Sequence, residues 1–304
     1  MDGDPLRLVF QSDTADPSEW RDALRAELGE FDFRVWPDTG DPAEVDVLFV
    51  LRPPDLAGYR NLKLIQLISA GMDQMEGIDA VPAGVPVLRL VEPGQVQGMC
   101  EYVLHWVLHY HRGFHRYRAQ QAERLWREFP RVPPRRRGVG VLGLGALGGP
   151  AAAMLSGHGF DVHGWTRRPR AADGITVHAG RAALGDFLAR VDIVVGLLPL
   201  TPETVGFYDQ AFFAAMRRGS VFINAGRGAQ CDQPALIAAL QSGHLAAATL
   251  DVLADEPPAP DDPIWSAPNC LITPHVATSP DIETAARTVA QNIRDALAGR
   301  LAAR

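Results

Sequence analysis

The chain has 304 residues, 47% of them hydrophobic and 21% charged, a balance that fits a globular protein of two domains. Its 29 basic and 36 acidic residues leave a net charge of -7. That excludes a general nucleic-acid binder but permits a small anionic ligand, whose site is set by local fields. The acidic start MDGDPLRLVF lacks the apolar core of a signal peptide, and no apolar run is long enough to span a bilayer. Cys100, Cys231 and Cys270 are odd in number and scattered, with no CxxC or Cys/His cluster. The expected setting is the cytoplasm, without metal, membrane or nucleic acid as partner.

The first hundred residues alternate strand-like and helix-like patterns. Leu6–Phe10 predicts a strand, and Ser18–Leu28 predicts a helix with Trp20, Leu24 and Leu28 on one face. Val45–Leu51 and Leu64–Ile68 predict further strands. This βαβ rhythm implies a parallel sheet flanked by helices. Pro53-Pro54 and Ser69-Ala70-Gly71 follow two of the strands, and loops at the carboxyl ends of parallel strands are where ligands bind. Arg52, in the first of these loops, reads equally as an anion contact or a solvated arginine. Glu101–His115 predicts an apolar helix, followed by the polar stretch Arg116–Glu128. PRVPPRRRG (Pro130–Gly138) is the clearest linker by composition. Its Arg135-Arg136-Arg137 run reads as solvated charge at a strand start.

Val139–Leu142, Asp161–Trp165, Asp192–Leu198, Ser220–Asn224, Ala246–Val252 and Cys270–Thr273 predict the strands of a second sheet. Helices are expected up to Ser156, over Thr201–Met216 and over Pro234–Ser242. Asp281–Leu297 predicts a last amphipathic helix, whose domain the pattern leaves open.

Gly143-Leu144-Gly145-Ala146-Leu147-Gly148 stands between a predicted strand and a predicted helix. In that context Gly143 permits a tight turn, Gly145 a close approach of backbone to a pyrophosphate, and Gly148 close helix–strand packing. The next strand ends in Gly164-Trp165-Thr166-Arg167-Arg168. A site for NAD places a carboxylate there to hold the ribose 2′-hydroxyl. Thr166 fills that slot, and Arg167 and Arg168 are suited to a 2′-phosphate, so NADP(H) is expected over NAD(H).

Downstream, Arg227 follows the strand VFIN and the small turn Ala225-Gly226. Glu256 and His275 lie in loops after two later strands. Singly these read as a surface arginine, a solvent-facing glutamate and a structural histidine. Jointly, behind a nucleotide turn, they supply what reduction of a 2-oxo acid needs. A guanidinium grips a carboxylate, an imidazole gives a proton to a carbonyl oxygen, and a carboxylate orients the imidazole.

The segments GLGALGG, LPLTPETVGFYD, INAGRGAQCD, DVLADEPPAPDDPIW and PNCLITPHVAT occur in this order. Through them the chain resembles the D-isomer-specific 2-hydroxyacid dehydrogenase family along nearly its whole length. Through GWTRRPR, LISAGMDQM and EYVLHWVLHYHR it is similar to the glyoxylate/hydroxypyruvate reductase A branch. The resemblance implies two Rossmann-like α/β domains, each a mainly parallel sheet flanked by helices. Residues 1–100 and 277–304 would form the substrate domain and residues 101–276 the dinucleotide domain, with Pro130–Gly138 a crossing loop inside the latter. It implies Arg227, Glu256 and His275 as catalytic residues. Leu198, Pro199, Ala225, Gly226 and Asp251 would join the glycine turn around the dinucleotide. The amides about Ala70, Gly71 and Met72, with Arg227 and His275, would contact the substrate, and Arg52, from its loop position, is the candidate second anion contact. Gly226, before Arg227, is expected to loosen its turn. The helix with Trp106 and Leu108 and the polar arm after it suit a homodimer. Trp126 either reaches across that dimer or packs at the end of its own helix.

The expected activity is NADPH-dependent reduction of glyoxylate, hydroxypyruvate or a similar small 2-oxo acid. The alternatives are a dinucleotide-sensing regulator on the same fold and a dehydrogenase of another 2-hydroxy acid. A formate-type enzyme would carry an amide in place of Glu256.

Overall fold

The structure is a computed structural model that describes residues 5–75, 77, 78 and 81–301. The chain divides into two units, Met1–Gln95 with Pro280–Arg304, and Val96–Ser279. The first division falls inside a helix, α2 (Pro93–His111), which begins eight residues before the expected start at Glu101. It stops at Gly113, whose φ of 71° is left-handed, and α3 (Phe114–Ala122) follows.

In the first unit β1 (Arg7–Gln11), β2 (Asp32–Val35), β3 (Val47–Val50), β4 (Leu64–Leu67) and β5 (Val87–Arg89) form a parallel sheet in the order β2-β1-β3-β4-β5. Helix α1 (Pro17–Leu28) starts where the Asp16 carboxylate accepts the Ser18 N–H, with Pro17 in its first turn. It buries Trp20 and Leu24 against Phe10, Phe49 and the apolar face of α8 (Ile282–Leu297). The returning helix therefore belongs to the first unit. Glu92 is 2% exposed and anchors its start: its carboxylate accepts Gly94, Gln95 and Asp281 N–H groups and the Thr284 hydroxyl. Asn292 Nδ2 donates to Oε1 of the fully buried Gln66 on β4 at 2.8 Å.

In the second unit β6 (Gly138–Leu142), β7 (Asp161–Thr166), β8 (Thr176–Ala179), β9 (Ile193–Gly196), β10 (Ser220–Asn224), β11 (Leu245–Leu250) and β12 (Cys270–Ile272) form a parallel sheet. Its order is β12-β11-β10-β9-β6-β7-β8. The reversal of direction at β6/β9 is the switch point where an open α/β sheet binds ligands. The flanking helices include α4 (Gly148–Gly157), α5 (Leu184–Leu188), α6 (Gln210–Ala215) and α7 (Gln233–Gln241). Apolar side chains pack on both faces of this sheet.

The expected helix over Thr201–Met216 is a correction. Only Gln210–Ala215 is helical, started by the Asp209 carboxylate on the Phe212 N–H. Upstream, Gly206 takes a left-handed φ of 61°, and Thr204 Oγ1 accepts the Thr201 N–H and donates to the Pro199 carbonyl. The expected linker Pro130–Gly138 leads into β6 inside the second unit and marks no boundary there. Among the described residues no helix is long and apolar enough to cross a membrane.

One histidine contact in this sheet bears on stability in acid. His163 on β7 is 5% exposed, its Nδ1 lies 3.0 Å from His178 Nε2 on β8, and its Nε2 lies 3.5 Å from Asp161. Burial, then His163 and Arg190, push His178 below the usual histidine range, with Asp186 opposing. A depressed folded value means stability is whole above the unfolded histidine pKa, about 6.5, and is lost as pH falls through the folded value. Tm should therefore drop from pH 7 to pH 5, and His178→Gln should flatten that slope in thermal melts.

Candidate functional site

The sheet of the second unit carries its candidate residues along one edge. The carboxyl ends of β6, β7, β9, β10, β11 and β12 lead to the glycine turn, Thr166, Leu198-Pro199, Arg227, Asp251 with Glu256, and His275 respectively.

The glycine turn fits a dinucleotide. Gly143 has a φ of 97°, and a Cβ there would come within 2.6 Å of the Leu197 carbonyl oxygen. A Cβ at Gly148 would collide with the Gly143 carbonyl, so α4 begins flush against the turn. Gly145 differs: nothing lies within 4 Å of where its Cβ would stand, and its bare backbone faces open space that a pyrophosphate can enter. No side chain caps α4 after Ala146-Leu147, which leaves its first N–H groups for an anion.

At the end of β7 Thr166 is buried, and its hydroxyl donates to the Arg168 carbonyl at 2.8 Å. This bond shapes the turn that presents Arg167 and Arg168, whose side chains are exposed. Arg170, which sequence reasoning passed over, donates to the Leu144 carbonyl and ties this turn to the glycine turn. The third basic residue of GWTRRPR was the available signal.

Arg227 sits on a pinned turn. Asn224 Oδ1 accepts the Gly226 N–H at 3.1 Å, and Asn224 Nδ2 donates to the Arg227 carbonyl at 3.2 Å. Gln230 Oε1 accepts the Arg227 N–H at 3.1 Å, while its Nε2 donates to the Leu198 and Pro199 carbonyls. Both side chains are fully buried. The expected loosening at Gly226 is thus overturned. A Cβ there would stand 3.1 Å from the Leu198 carbonyl, so glycine lets the turn press close. Gly228 touches the Leu253 backbone so closely that no Cβ fits, which sets the Arg227 turn against the segment leading to Glu256. The Arg227 guanidinium donates to the Gly226 carbonyl at 2.9 Å.

Glu256 and His275 meet directly. One Glu256 oxygen accepts the Leu253 N–H at 2.9 Å, and the other lies 2.8 Å from His275 Nδ1. A carboxylate only accepts, so Nδ1 carries the proton and Nε2 is the nitrogen turned to chemistry. The two side chains are 50% and 37% exposed, so the pair orients the ring more than it stabilises the fold.

The His275 backbone is left-handed, with φ 53°. Asp251, 2% exposed, holds it there: the carboxylate accepts the Thr273 hydroxyl at 2.6 Å and the Val276 and Ala277 N–H groups at 2.9 and 2.8 Å. The His275 N–H donates to the Asp251 carbonyl at 2.9 Å. Sequence reasoning named Asp251 only through the resemblance and missed Asn224, Gln230 and Gly228. A polar residue at the end of an apolar strand was the signal for Asn224.

In the first unit, Arg52 follows β3 and Ala70, Gly71 and Met72 follow β4, on neighbouring strands at the carboxyl edge of that sheet. Arg52 is exposed, and its N–H donates to Gln11. Arg89 donates to the Ala70 carbonyl at 3.2 Å. Among the described residues no group of three or more His, Cys, Asp or Glu side chains is placed to hold a metal.

The family model for the D-isomer specific 2-hydroxyacid dehydrogenase NAD-binding domain matches residues 104–277. The chain belongs to the D-isomer-specific 2-hydroxyacid dehydrogenase family. It is 36% identical over 302 residues to glyoxylate/hydroxypyruvate reductase A of Serratia proteamaculans, covering 97% of this chain and 96% of that one. Among solved structures, a family member from Xanthobacter autotrophicus Py2 in complex with NADPH and MES aligns with a TM-score of 0.92 at 42% identity, over 98% of this chain and 96% of that one. An NADPH-dependent glyoxylate/hydroxypyruvate reductase from Sinorhizobium meliloti, in complex with NADP and sulfate, aligns at 0.87 and 32% identity over 96% and 95%.

Replacing Asp251 by Asn keeps shape but sets an amide donor against the N–H and O–H groups the carboxylate now accepts. A loss of about 1–3 kcal/mol in urea unfolding is expected.

Proposed function

We propose that this chain reduces small 2-oxo acids, glyoxylate or hydroxypyruvate, to 2-hydroxy acids with NADPH. The observation that carries the reading is the His275–Glu256 pair, which engages Nδ1 and leaves Nε2 for the proton that the charged ring would transfer. The relatives named glyoxylate/hydroxypyruvate reductase A and the NADP(H)-bound neighbours support the choice of substrate and coenzyme.

The coenzyme, bound on the Gly143–Gly148 cradle, supplies a hydride to the substrate's carbonyl carbon. The protein does the rest. Arg227 pairs with the substrate carboxylate through two parallel bonds and polarises the keto oxygen. As charge grows on that oxygen, the proton on His275 Nε2 moves to it. Glu256 stabilises the charged imidazole and holds its orientation. In oxidation His275 takes the proton back. Leu198, Pro199, Ala225 and Gly226 line the coenzyme, and Arg167 with Arg168 take its 2′-phosphate. Asp251 has both oxygens engaged by the His275 turn, so its part here is positioning. Arg52 and the amides of Ala70, Gly71 and Met72 are assigned to the substrate, with the first unit as substrate domain and the second as coenzyme domain.

The reading includes a cytoplasmic homodimer. Phe114, Leu125 and Trp126 are 50%, 49% and 101% exposed, an apolar series that a second copy would cover. The full exposure of Trp126 supports its reaching toward a second copy. Light scattering on the purified protein gives the oligomeric state, and a monomer at assay concentration would reject this part.

His275→Ala should lower kcat by about 10²–10⁴ while NADPH binding, followed by fluorescence, is retained. Near-normal turnover would remove His275 from the chemistry, and absence of turnover by the unaltered protein on any 2-oxo acid would favour a regulator. The double variant Arg167→Ala/Arg168→Ala should lose about 10- to 100-fold in kcat/KM for NADPH, with NADH little changed. Equal use of both coenzymes by the unaltered protein would contradict the phosphate assignment.

A further inference from the structure

A cavity lies at the amino-terminal edge of the larger sheet, opposite to the candidate active-site residues at its carboxyl edge. It is about 410 Å³, open to solvent, and lined by the end of α2, α3, the returning segment 129–132 and the amino ends of β9 to β11. That volume falls within the range of small-molecule sites.

Its lining is strongly basic. Arg112, Arg116, Arg131 and Arg137 face one carboxylate, Asp192. Asp192 is already satisfied by Arg217 at 2.7 Å, Arg137 at 3.6 Å and the Gly138 N–H at 3.2 Å. Among the described residues no ion pair engages Arg112, Arg116 or Arg131. Arg116 is stacked 3.3 Å over the Phe129 ring, which fixes the plane of its fork.

The second observation is polar burial. Nδ1 of His111, Nδ1 of His115 and Nε of Arg137, on three residues that line this cavity, are buried without a hydrogen-bond partner. Solvated surface charge does not produce this, because buried polar atoms in folded proteins are almost always partnered. Burial, helped by Arg137, Arg112 and Arg131, pushes His111 below its usual range, and burial with His109 and Arg116 pushes His115 down to about 4. Burial is the main cause for both rings, and the positive field of the neighbouring arginines, which adds to it, is the field an anion would neutralise.

We propose that this cavity binds a small molecule through a phosphate group, independently of the coenzyme. Arginines from separate segments, the end of α2, α3, segment 129–132 and the residue before β6, line the one cavity. That suits a tetrahedral oxyanion better than a planar carboxylate, which one fork satisfies. Phe129 and Tyr117 offer rings to whatever the phosphate is attached to. The site does not depend on the proposed activity, since it shares no residue with the candidate active site.

The test uses the full-length protein saturated with NADPH, titrated with inorganic phosphate, ribose 5-phosphate or citrate and followed by Tm and calorimetry. The expected result is a phosphate-dependent rise in Tm and a heat of binding. The Kd should be weakened about tenfold or more by Arg112→Ala and by Arg131→Ala, both exposed residues whose loss spares the core. The Arg167→Ala/Arg168→Ala variant should bind phosphate as before. Tighter binding of the ester than of inorganic phosphate identifies an ester as the ligand, and equal binding identifies free phosphate. No shift with either, citrate binding as tightly as phosphate, or loss of binding in the Arg167/Arg168 variant instead would overturn the proposal.

Discussion

The buried carboxylate of Asp251 is the constraint on which the candidate active site depends. A β-carbon-bearing residue at a φ of 53°, as His275 has, costs on the order of 1–3 kcal/mol and persists only where its surroundings over-determine it. Three donors on Asp251 and the His275 N–H on the Asp251 carbonyl do so here. The direction of the imidazole is thus set by the backbone before Glu256 touches the ring. A buried unpaired carboxylate would be costly, so the anchor and the turn require each other.

The same device recurs on the neighbouring strand. Gln230 spends all its polar atoms holding the Arg227 turn to Leu198 and Pro199, so the guanidinium's root is placed by buried amides. Helix α2 is fixed to this sheet by phenols. Tyr102 shares a bond with Thr273 at 2.8 Å, and Tyr110 bonds Thr249 and the Ala248 carbonyl. Thr273 in turn donates to Asp251, which makes a continuous chain from helix to turn. His275 and Glu256 are exposed and Arg227 is half-buried, while the Asp251, Asn224 and Gln230 side chains that aim them are buried.

Much of this was legible in the sequence. The long apolar strands and α1 announced themselves because burial on both faces leaves continuous apolar runs and helical spacing is hard to mimic. The glycine turn was legible because each glycine answers a separate steric demand. Three strands were not foreseen: β2, β5 and β8 are short and lie at sheet edges, where half-exposed residues such as those of DFRV carry no clear alternation. The helix over Thr201–Met216 was misread because apolar spacing says nothing of the Thr204 hydroxyl that competes for the backbone. Arg227, Glu256 and His275 were found by residue type. Asn224, Gln230 and Gly228 were not, because their roles exist only once loops from different strands touch.

Amide hydrogen exchange at His275, Val276 and Ala277 tests the central claim most directly. Val276 is 53% exposed, and an exposed loop of this kind would ordinarily exchange within the dead time of the experiment. The expected result is protection of all three amides comparable to that of the β11 strand, reflecting their bonds to Asp251. Exchange of these amides at the rate of an unstructured peptide would contradict it, since His275 would then have no fixed turn from which to deliver a proton.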